Sequence, residues 1–66
     1  MKNTLKIERA KLNLTQQDLA DKIGVSRQTI NSIEADRYVP STELALKMSK
    51  IFGCTVNDIF SLDDAD

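Results

Sequence analysis

Residues 15–34 read TQQDLADKIGVSRQTINSIE and carry most of the signals that predict the fold. Thr15 followed by Asp18 has the spacing of a capping box, and Ser26 has the chemistry of a second N-cap. Gly24 stands between them, where glycine accepts the left-handed conformation in which many helices end. These signals predict two short helices joined by a tight turn, over residues 16–23 and 27–34.

The second predicted helix has two chemically different faces. At about 100° per residue, Thr29, Ile30 and Ile33 share one side and can dock on a core. The opposite side carries side chains that can hydrogen-bond base edges, namely Arg27, Gln28, Asn31 and Ser32. Arg suits guanine, and Gln or Asn suits adenine. This face indicates a helix that reads bases in the major groove of DNA.

The pattern resembles the helix-turn-helix of the Cro/C1-repressor family, also called the XRE family. The residues that match the motif include helix caps, the turn and core positions. They are Thr15-Gln16, Leu19-Ala20, residues 23–26 (IGVS), Ile30 and Ile33-Glu34. It covers residues 3 to about 60 and implies an all-α, compact five-helix, lambda-repressor-like DNA-binding domain. The segments VSRQTINSIE and ALKMSKIF look like the small single-domain subgroup that includes the cytolysin repressor. That subgroup binds palindromic DNA as homodimers.

The resemblance also implies contacts to the DNA backbone. In the family, a Gln at the position of Gln16 grips the backbone at the positive end of a helix dipole; the alternative is an exposed Gln without a partner. Arg37 and Tyr38 resemble loop residues that donate to phosphate oxygens, and the Tyr38 ring can pack at the core edge at the same time. The predicted phosphate contacts are Thr15, Gln16, Ser26, Thr29, Arg37, Tyr38 and Arg9.

Arg9 has a further expected role. In the family an Arg at this position commonly pairs with a Glu at the end of the recognition helix, here Glu34. Such a pair would lock the first helix to the third and leave Arg9 near a phosphate. A partly buried pair adds geometric definition more surely than net stability. The alternative is a solvated Arg9 with no fixed partner.

Three more helices are expected around the central pair. The first runs over about residues 4–12. Ser41 caps another over residues 42–52, whose apolar side chains recur at i, i+1, i+4, i+7 and i+8. Thr55 and Asp58 form a second capping box at the start of the last helix.

A surplus of apolar side chains follows the fourth predicted helix. A domain this small can bury only some of them, which predicts a partner surface. We expect a homodimer whose two-fold axis lies near the last helix and its approaches, at Cys54, Val56, Ile59, Phe60 and Leu62. Palindromic operators mirror such symmetry.

Composition excludes several functional classes. The 66 residues make one expected domain, near the lower size limit for a chain that folds alone. No apolar run approaches the ~20 residues of a membrane span. With no His and a single Cys, the sequence offers no zinc site, no disulfide framework and no Ser/His or Cys/His pair. We therefore expect a cytoplasmic protein that is not an enzyme, has no cofactor and shows no evident site for a small-molecule effector.

Charge is distributed unevenly along the chain. The net charge is −1, yet residues 1–60 carry nine Lys and Arg against seven Asp and Glu. Residues 61–66, SLDDAD, form an acidic tail with three acids, which is expected to be flexible or to lie away from the phosphates. Residues 1–3 are expected to be a frayed end or a short extended arm. A weakly basic protein depends on placed contacts more than on a broad positive field.

These observations predict a sequence-specific transcriptional regulator of double-stranded DNA. It would be a repressor that occupies a palindromic operator as a homodimer, with helix 27–34 in the major groove. Two alternatives stay open at this point. One is an antitoxin or anti-repressor that binds a partner protein. The other is a protein-interaction module that has the same fold and has lost DNA binding.

Overall fold

The structure, a computed structural model, describes residues 1–64. This part of the chain contains five helices and two very short strands. The helices are α1 (Leu5–Lys11), α2 (Gln16–Ile23), α3 (Arg27–Glu34), α4 (Thr42–Phe52) and α5 (Val56–Ile59), and the strands are β1 (Lys2–Asn3) and β2 (Phe60–Ser61). The predicted bounds of α2, α3 and α4 are confirmed. Helix α1 is shorter than predicted, because Thr4 and Leu12 are its flanking cap residues. Two residues of the predicted acidic tail, 65 and 66, lie outside the described part.

Local hydrogen bonds explain where the helices begin. The Thr15 hydroxyl accepts from the backbone N–H of Asp18 at 3.0 Å, and the Asp18 carboxylate accepts from the N–H of Thr15 at 3.0 Å. Thr55 and Asp58 repeat this capping box before α5. Each box satisfies backbone donors that a helix start leaves without partners. Gly24 ends α2 with a φ of +75°, in the left-handed region where glycine has no steric penalty.

The two ends of the domain meet in a small antiparallel sheet. Lys2 lies opposite Ser61 and Asn3 opposite Phe60. The Met1 ammonium group donates to the Asp63 carboxylate at 3.0 Å. The expectation of a frayed N-terminus is therefore wrong, and the extended arm is what forms. Ser61 and Asp63, expected in an acidic tail, belong instead to this sheet and to its ion pair.

One apolar core holds these elements together. Its buried side chains come from all five helices and β2: Leu5, Leu19, Ala20, Ile23, Ile30, Ile33, Ala45, Met48, Ile59 and Phe60. Removing any of the larger ones would leave a cavity and cost about 2–5 kcal/mol. Within residues 1–64, no helix has both the length and the apolar character needed to cross a membrane.

Candidate nucleic-acid interface

The turn between α2 and α3 sets the direction of α3. Two backbone N–H groups, those of Gly24 and Val25, donate to the Ala20 carbonyl at 2.9 and 3.0 Å and close the end of α2. Ser26 then caps α3 by accepting from the N–H of Thr29 at 3.2 Å. Leu19, Ala20 and Ile23 of α2 share the core with Ile30 and Ile33 of α3. The opposite side of α3 is therefore turned away from the core.

That outward side carries all four predicted base contacts. Arg27, Gln28 and Asn31 are exposed and Ser32 is half-buried. The four side chains line one shallow hollow together with Arg37. A second hollow is lined by Gln28, Thr29, Ser32, Arg37 and Tyr38. The fold thus places the predicted base-reading residues beside both predicted loop contacts and Thr29.

The hydroxyls at the starts of α2 and α3 take part in local hydrogen bonds. Thr15 and Ser26 both accept from backbone N–H groups as N-caps. Ser26 and Thr29 also share one hydrogen bond, 3.0 Å between their hydroxyl oxygens, in which either group can donate. One hydroxyl hydrogen of that pair can still be donated to an anion. The backbone N–H and the hydroxyl of Thr15 both interact with the Asp18 carboxylate and lower the pKa of that group.

Arg9 is held inside the protein by three hydrogen bonds. Its Nε donates to Glu34 Oε2 at 2.7 Å, its Nη2 to Glu34 Oε1 at 3.2 Å and its Nη1 to the Leu14 carbonyl at 2.8 Å. The Arg9 side chain is 15% exposed and that of Glu34 is 8% exposed. The pair predicted from sequence is confirmed, and the solvated alternative is wrong. An Arg side chain has five N–H donors, so donors remain for the predicted phosphate contact.

Gln16 joins the same network. Its Nε2 donates to Glu34 Oε1 at 3.2 Å. Since a carboxylate accepts and does not donate, the amide nitrogen must face Glu34. The alternative of an exposed Gln16 without a partner is therefore wrong. Nε2 carries a second N–H, which remains available as a donor at the start of α2.

The end of α3 is stabilised by a turn at Asp36 and by Asn3 of β1, which the sequence analysis did not identify. Asp36 has a φ of +59°, and its N–H donates to the Ile33 carbonyl at 3.0 Å. The N–H of Arg37 donates to the Ser32 carbonyl at 2.9 Å, which completes a Schellman motif. Asn3 of β1 donates through Nδ2 to the Ile33 carbonyl at 2.9 Å and to Asp36 Oδ1 at 2.8 Å. No local sequence pattern predicts this role of Asn3, because its two hydrogen-bond partners lie 30 and 33 positions away along the chain.

Two of the predicted dimer residues are buried within the domain. Ile59 is 2% exposed and Phe60 is 7% exposed, so they have almost no surface to offer a second copy. The expectation that they form the contact is corrected: both belong to the core. Leu62, by contrast, is 73% exposed.

Leu62 belongs to a wider apolar surface, which we call the terminal patch. Its residues line two adjoining hollows that share Met1, Val56 and Phe60. We define the terminal patch as Met1, Val39, Leu46, Val56 and Leu62. The exposed fractions of Val39 and Leu46 are 64% and 58%. Met1, Val39 and Leu46 were not among the predicted dimer residues, because they come from three separate parts of the chain.

Cys54 is half-buried and packs against the core. Burial raises the pKa of its thiol, and the carboxylates of Glu8 and Asp58 raise that pKa further. The thiol therefore stays protonated at neutral pH and behaves as a small apolar group.

Comparison with known proteins agrees with this architecture. The sequence profile of the helix-turn-helix family matches residues 5–59, which contain all five helices. An uncharacterized HTH-type transcriptional regulator from Methanocaldococcus jannaschii is 58% identical over 64 residues, with 97% of each chain covered. The HTH-type transcriptional regulator YgzD from Bacillus subtilis is 44% identical over 64 residues, again with 97% of each chain covered.

Two solved structures have the same fold. The SOS-response transcriptional repressor LexA from Eubacterium rectale has a TM-score of 0.79 and 26% identity, over 94% of this chain and 66% of that one. A hypothetical transcription factor from Neisseria has a TM-score of 0.74 and 20% identity, over 82% of this chain and 61% of that one. This chain thus spans less than two thirds of the length of either structure.

Proposed function

This chain belongs to the helix-turn-helix family of XRE-type transcriptional regulators, and from that premise we propose that it is a repressor that occupies a palindromic DNA operator as a homodimer. In this proposal α3 enters the major groove. Its function as a DNA-binding regulator follows from the family and from relatives named HTH-type transcriptional regulators. The proposed work on DNA implies a cytoplasmic protein.

One observation carries the proposal about α3. Its outward face combines side chains that donate and accept hydrogen bonds, and they line a single hollow. We assign base contacts to Arg27, Gln28, Asn31 and Ser32. Such side chains on a helix that fits the major groove can distinguish base pairs by their donor and acceptor patterns.

The charges around this face suit an anionic ligand. Arg27 and Arg37 are exposed beside it. The acid within α3 itself, Glu34, is paired with Arg9 and largely withdrawn from solvent. Because its charge is compensated, Glu34 adds little repulsion toward DNA phosphates.

Phosphate contacts are proposed for the residues that surround the base-reading face. They would fix the position of the domain on the duplex without reading sequence. The set comprises Thr15, Gln16, Ser26, Thr29, Arg37, Tyr38 and Arg9. Its support is that donors remain available at the starts of α2 and α3, and that Thr29, Arg37 and Tyr38 line one hollow with Gln28 and Ser32.

The terminal patch is the surface that we propose for the homodimer. Val39, Leu46 and Leu62 are more than half exposed, and they surround the partly buried Met1 and Val56. Burying exposed apolar side chains yields about 25 cal/mol per Å² of apolar surface. Cys54 was also predicted to lie near the two-fold axis, and it stays in the proposal as a flanking residue.

The repressor role has two supports. A DNA-binding domain can block polymerase by occupying a site, without an activation surface. In addition, one solved structure with this fold is named a transcriptional repressor.

A second candidate function rests on two exposed apolar side chains outside the terminal patch. Ile7 and Leu12 of the α1 region are 58% and 48% exposed. If the terminal patch is buried in a homodimer, this pair stays available for a partner protein, as an antitoxin or an interaction module requires.

Selection of bound sequences from a random duplex pool, at one fixed salt concentration, tests the main proposal. We expect an enriched inverted repeat whose half-sites are centred about 10–10.5 base pairs apart, or a multiple of that spacing. Sedimentation at micromolar concentration should show a dimer. A pool with no enriched sequence would reject specific DNA binding, and a single subunit on a non-repeated site would reject the homodimer.

A further inference from the structure

The loop that follows α3 reaches back over the base-reading face. Arg37 Nη2 donates to Asn31 Oδ1 at 3.0 Å. Both side chains are exposed, and both line the hollow that also contains Gln28. This contact joins a residue assigned to a base with a residue assigned to a phosphate.

The backbone holds Arg37 in position for this contact. Asp36 adopts the left-handed conformation, and the N–H of Arg37 is bound to the Ser32 carbonyl. Asn3 bonds both to Asp36 and to the Ile33 carbonyl, so β1 supports the same turn. The start of the Arg37 side chain is thereby fixed relative to α3.

The chemistry of the contact determines which way the Asn31 amide points. A guanidinium has donors and no acceptor, so it must face the amide oxygen and not the amide nitrogen. The bond is charge-assisted, and such bonds are roughly twice as strong as neutral ones. The Asn31 Nδ2 group, with two donors, is then the part left free at the surface.

We propose that Arg37 is a positioning residue for sequence specificity, because it holds the Asn31 amide with its donors toward the base edge. This inference rests on the proposed function of α3. An adenine pair uses the amide oxygen and nitrogen together, whereas guanine N7 and O6 and thymine O4 accept from donors. Arg37 occupies one of the two lone pairs of the Asn31 oxygen. A paired adenine would have to share that oxygen with the guanidinium, whereas guanine and thymine need only the amide donors, so Asn31 prefers guanine or thymine over adenine. The remaining donors of Arg37 are still available for a phosphate.

Base selection with four proteins tests this inference: the wild type, Asn31→Ala, Arg37→Ala and the double variant. Asn31→Ala identifies the base position that Asn31 reads, since the preference there is lost. At that position Arg37→Ala should raise the enrichment of adenine relative to guanine and thymine by at least about fivefold. In the Asn31→Ala background, Arg37→Ala should change this ratio less than about twofold, as expected of a residue that acts through its neighbour.

Lys22→Ala is the matched control, because it removes one exposed positive charge from α2 and leaves Asn31 and Arg37 in place. It should not alter the preference at the Asn31 position. An Arg37→Ala effect of equal size with and without Asn31 would mean that Arg37 reads the base itself. No effect in either background would likewise overturn the inference.

Nuclear magnetic resonance of the free protein tests the contact without DNA. The side-chain amide signals of Asn31 should shift in Arg37→Ala, while those of Asn57 in α5 should not. Unchanged Asn31 signals would refute the contact on which the inference depends. A different result would refute the proposed function: a selection with the wild type that enriches no sequence. The base preference would then be refuted as well, even if NMR showed that the Asn31 signals depend on Arg37.

Discussion

Arg9 and Glu34 are joined by two hydrogen bonds, Nε to Oε2 at 2.7 Å and Nη2 to Oε1 at 3.2 Å, which connect α1 to the last residue of α3. Gln16 at the start of α2 donates to the same carboxylate. Three helices therefore meet at Glu34. The helix that we propose to read DNA is oriented by this network at one end and by the Ser26 cap at the other.

Glu34→Ala should lower the free energy of unfolding by about 1–3 kcal/mol, because it leaves the largely buried Arg9 guanidinium without its anionic acceptor. Arg9→Ala should also destabilise the fold. The double variant should cost less than the sum of the two, since contacting residues are energetically coupled. Urea denaturation of the four proteins measures these values, and strict additivity would show that the pair does not interact.

Lys47→Ala is the control for that experiment. Lys47 and Glu43 form an exposed pair in α4, with Nζ and Oε1 3.4 Å apart. Exposed pairs at this spacing contribute about 0.3–0.5 kcal/mol. The effect of Lys47→Ala should therefore be well below that of Glu34→Ala.

Because of the capping box of α2, the free energy of unfolding should depend on pH in the acidic range. Hydrogen bonds from the Thr15 backbone and hydroxyl lower the pKa of Asp18 in the folded state. Its contribution is therefore complete above the unfolded pKa of about 3.9 and is lost as the pH falls through the lower folded pKa. Asp18→Asn keeps an acceptor oxygen and removes the titration. Between pH 5 and pH 2, the free energy of unfolding of Asp18→Asn should fall less than that of the wild type. Denaturant titrations at several pH values measure both.

Asp21→Asn provides the comparison for this pH effect, because Asp21 lies on the same helix outside the capping box. If Asp18→Asn and Asp21→Asn behaved alike, the capping box would not be the source of the effect.

Gln28→Ala should weaken operator binding by about 1–3 kcal/mol and leave binding to scrambled DNA almost unchanged. The Gln28 side chain is exposed at the start of α3, where residues reach base edges, and it offers one donor and one acceptor to adenine. Titrations with the operator and a scrambled duplex at one salt concentration measure the difference. A thermal melt checks that the fold is intact.

Gln17→Ala, on the exposed side of α2, is the matched control for this truncation. It should not change the preference between the two duplexes. Equal losses on both duplexes with Gln28→Ala would make Gln28 a backbone contact, and no loss on either would move the DNA-binding face elsewhere.

Tyr38→Phe should weaken binding to operator and random DNA by the same amount, about 0.5–1.5 kcal/mol. The substitution removes the hydroxyl that we assign to a phosphate and keeps the ring. Because the hydroxyl is neutral, the salt dependence of binding should stay as it is. A loss confined to the operator would assign Tyr38 to base reading instead.

Leu62→Ser should weaken the homodimer by about tenfold or more, because each subunit loses an apolar side chain of the terminal patch. Ile7→Ser removes an apolar side chain of similar exposure from α1 and should leave the dimer unchanged. Sedimentation over a range of protein concentrations compares the two variants. A dimer weakened by Ile7→Ser and not by Leu62→Ser would place the interface on α1.

Parts of the fold whose causes lie within a few residues could be predicted from the sequence. The capping boxes at Thr15 and Thr55 and the stop at Gly24 depend on bonds and backbone angles inside one helical turn. For that reason the bounds of α2, α3 and α4 follow from the order of the residues alone. The outward face of α3 was also predictable, because helical periodicity alone separates it from Ile30 and Ile33.

Contacts between distant parts of the chain could not be predicted, because they depend on the path of the folded backbone. Strands of two residues have no periodicity to recognise, so the pairing of β1 with β2 appears only when the chain ends meet. That meeting buries Phe60, and it brings Asn3 to the turn at Asp36. The direction of the Asn31 amide depends on where the fold carries Arg37. Composition and spacing show which chemical groups the chain has. The distances between groups that are far apart in the sequence are set only by the folded backbone.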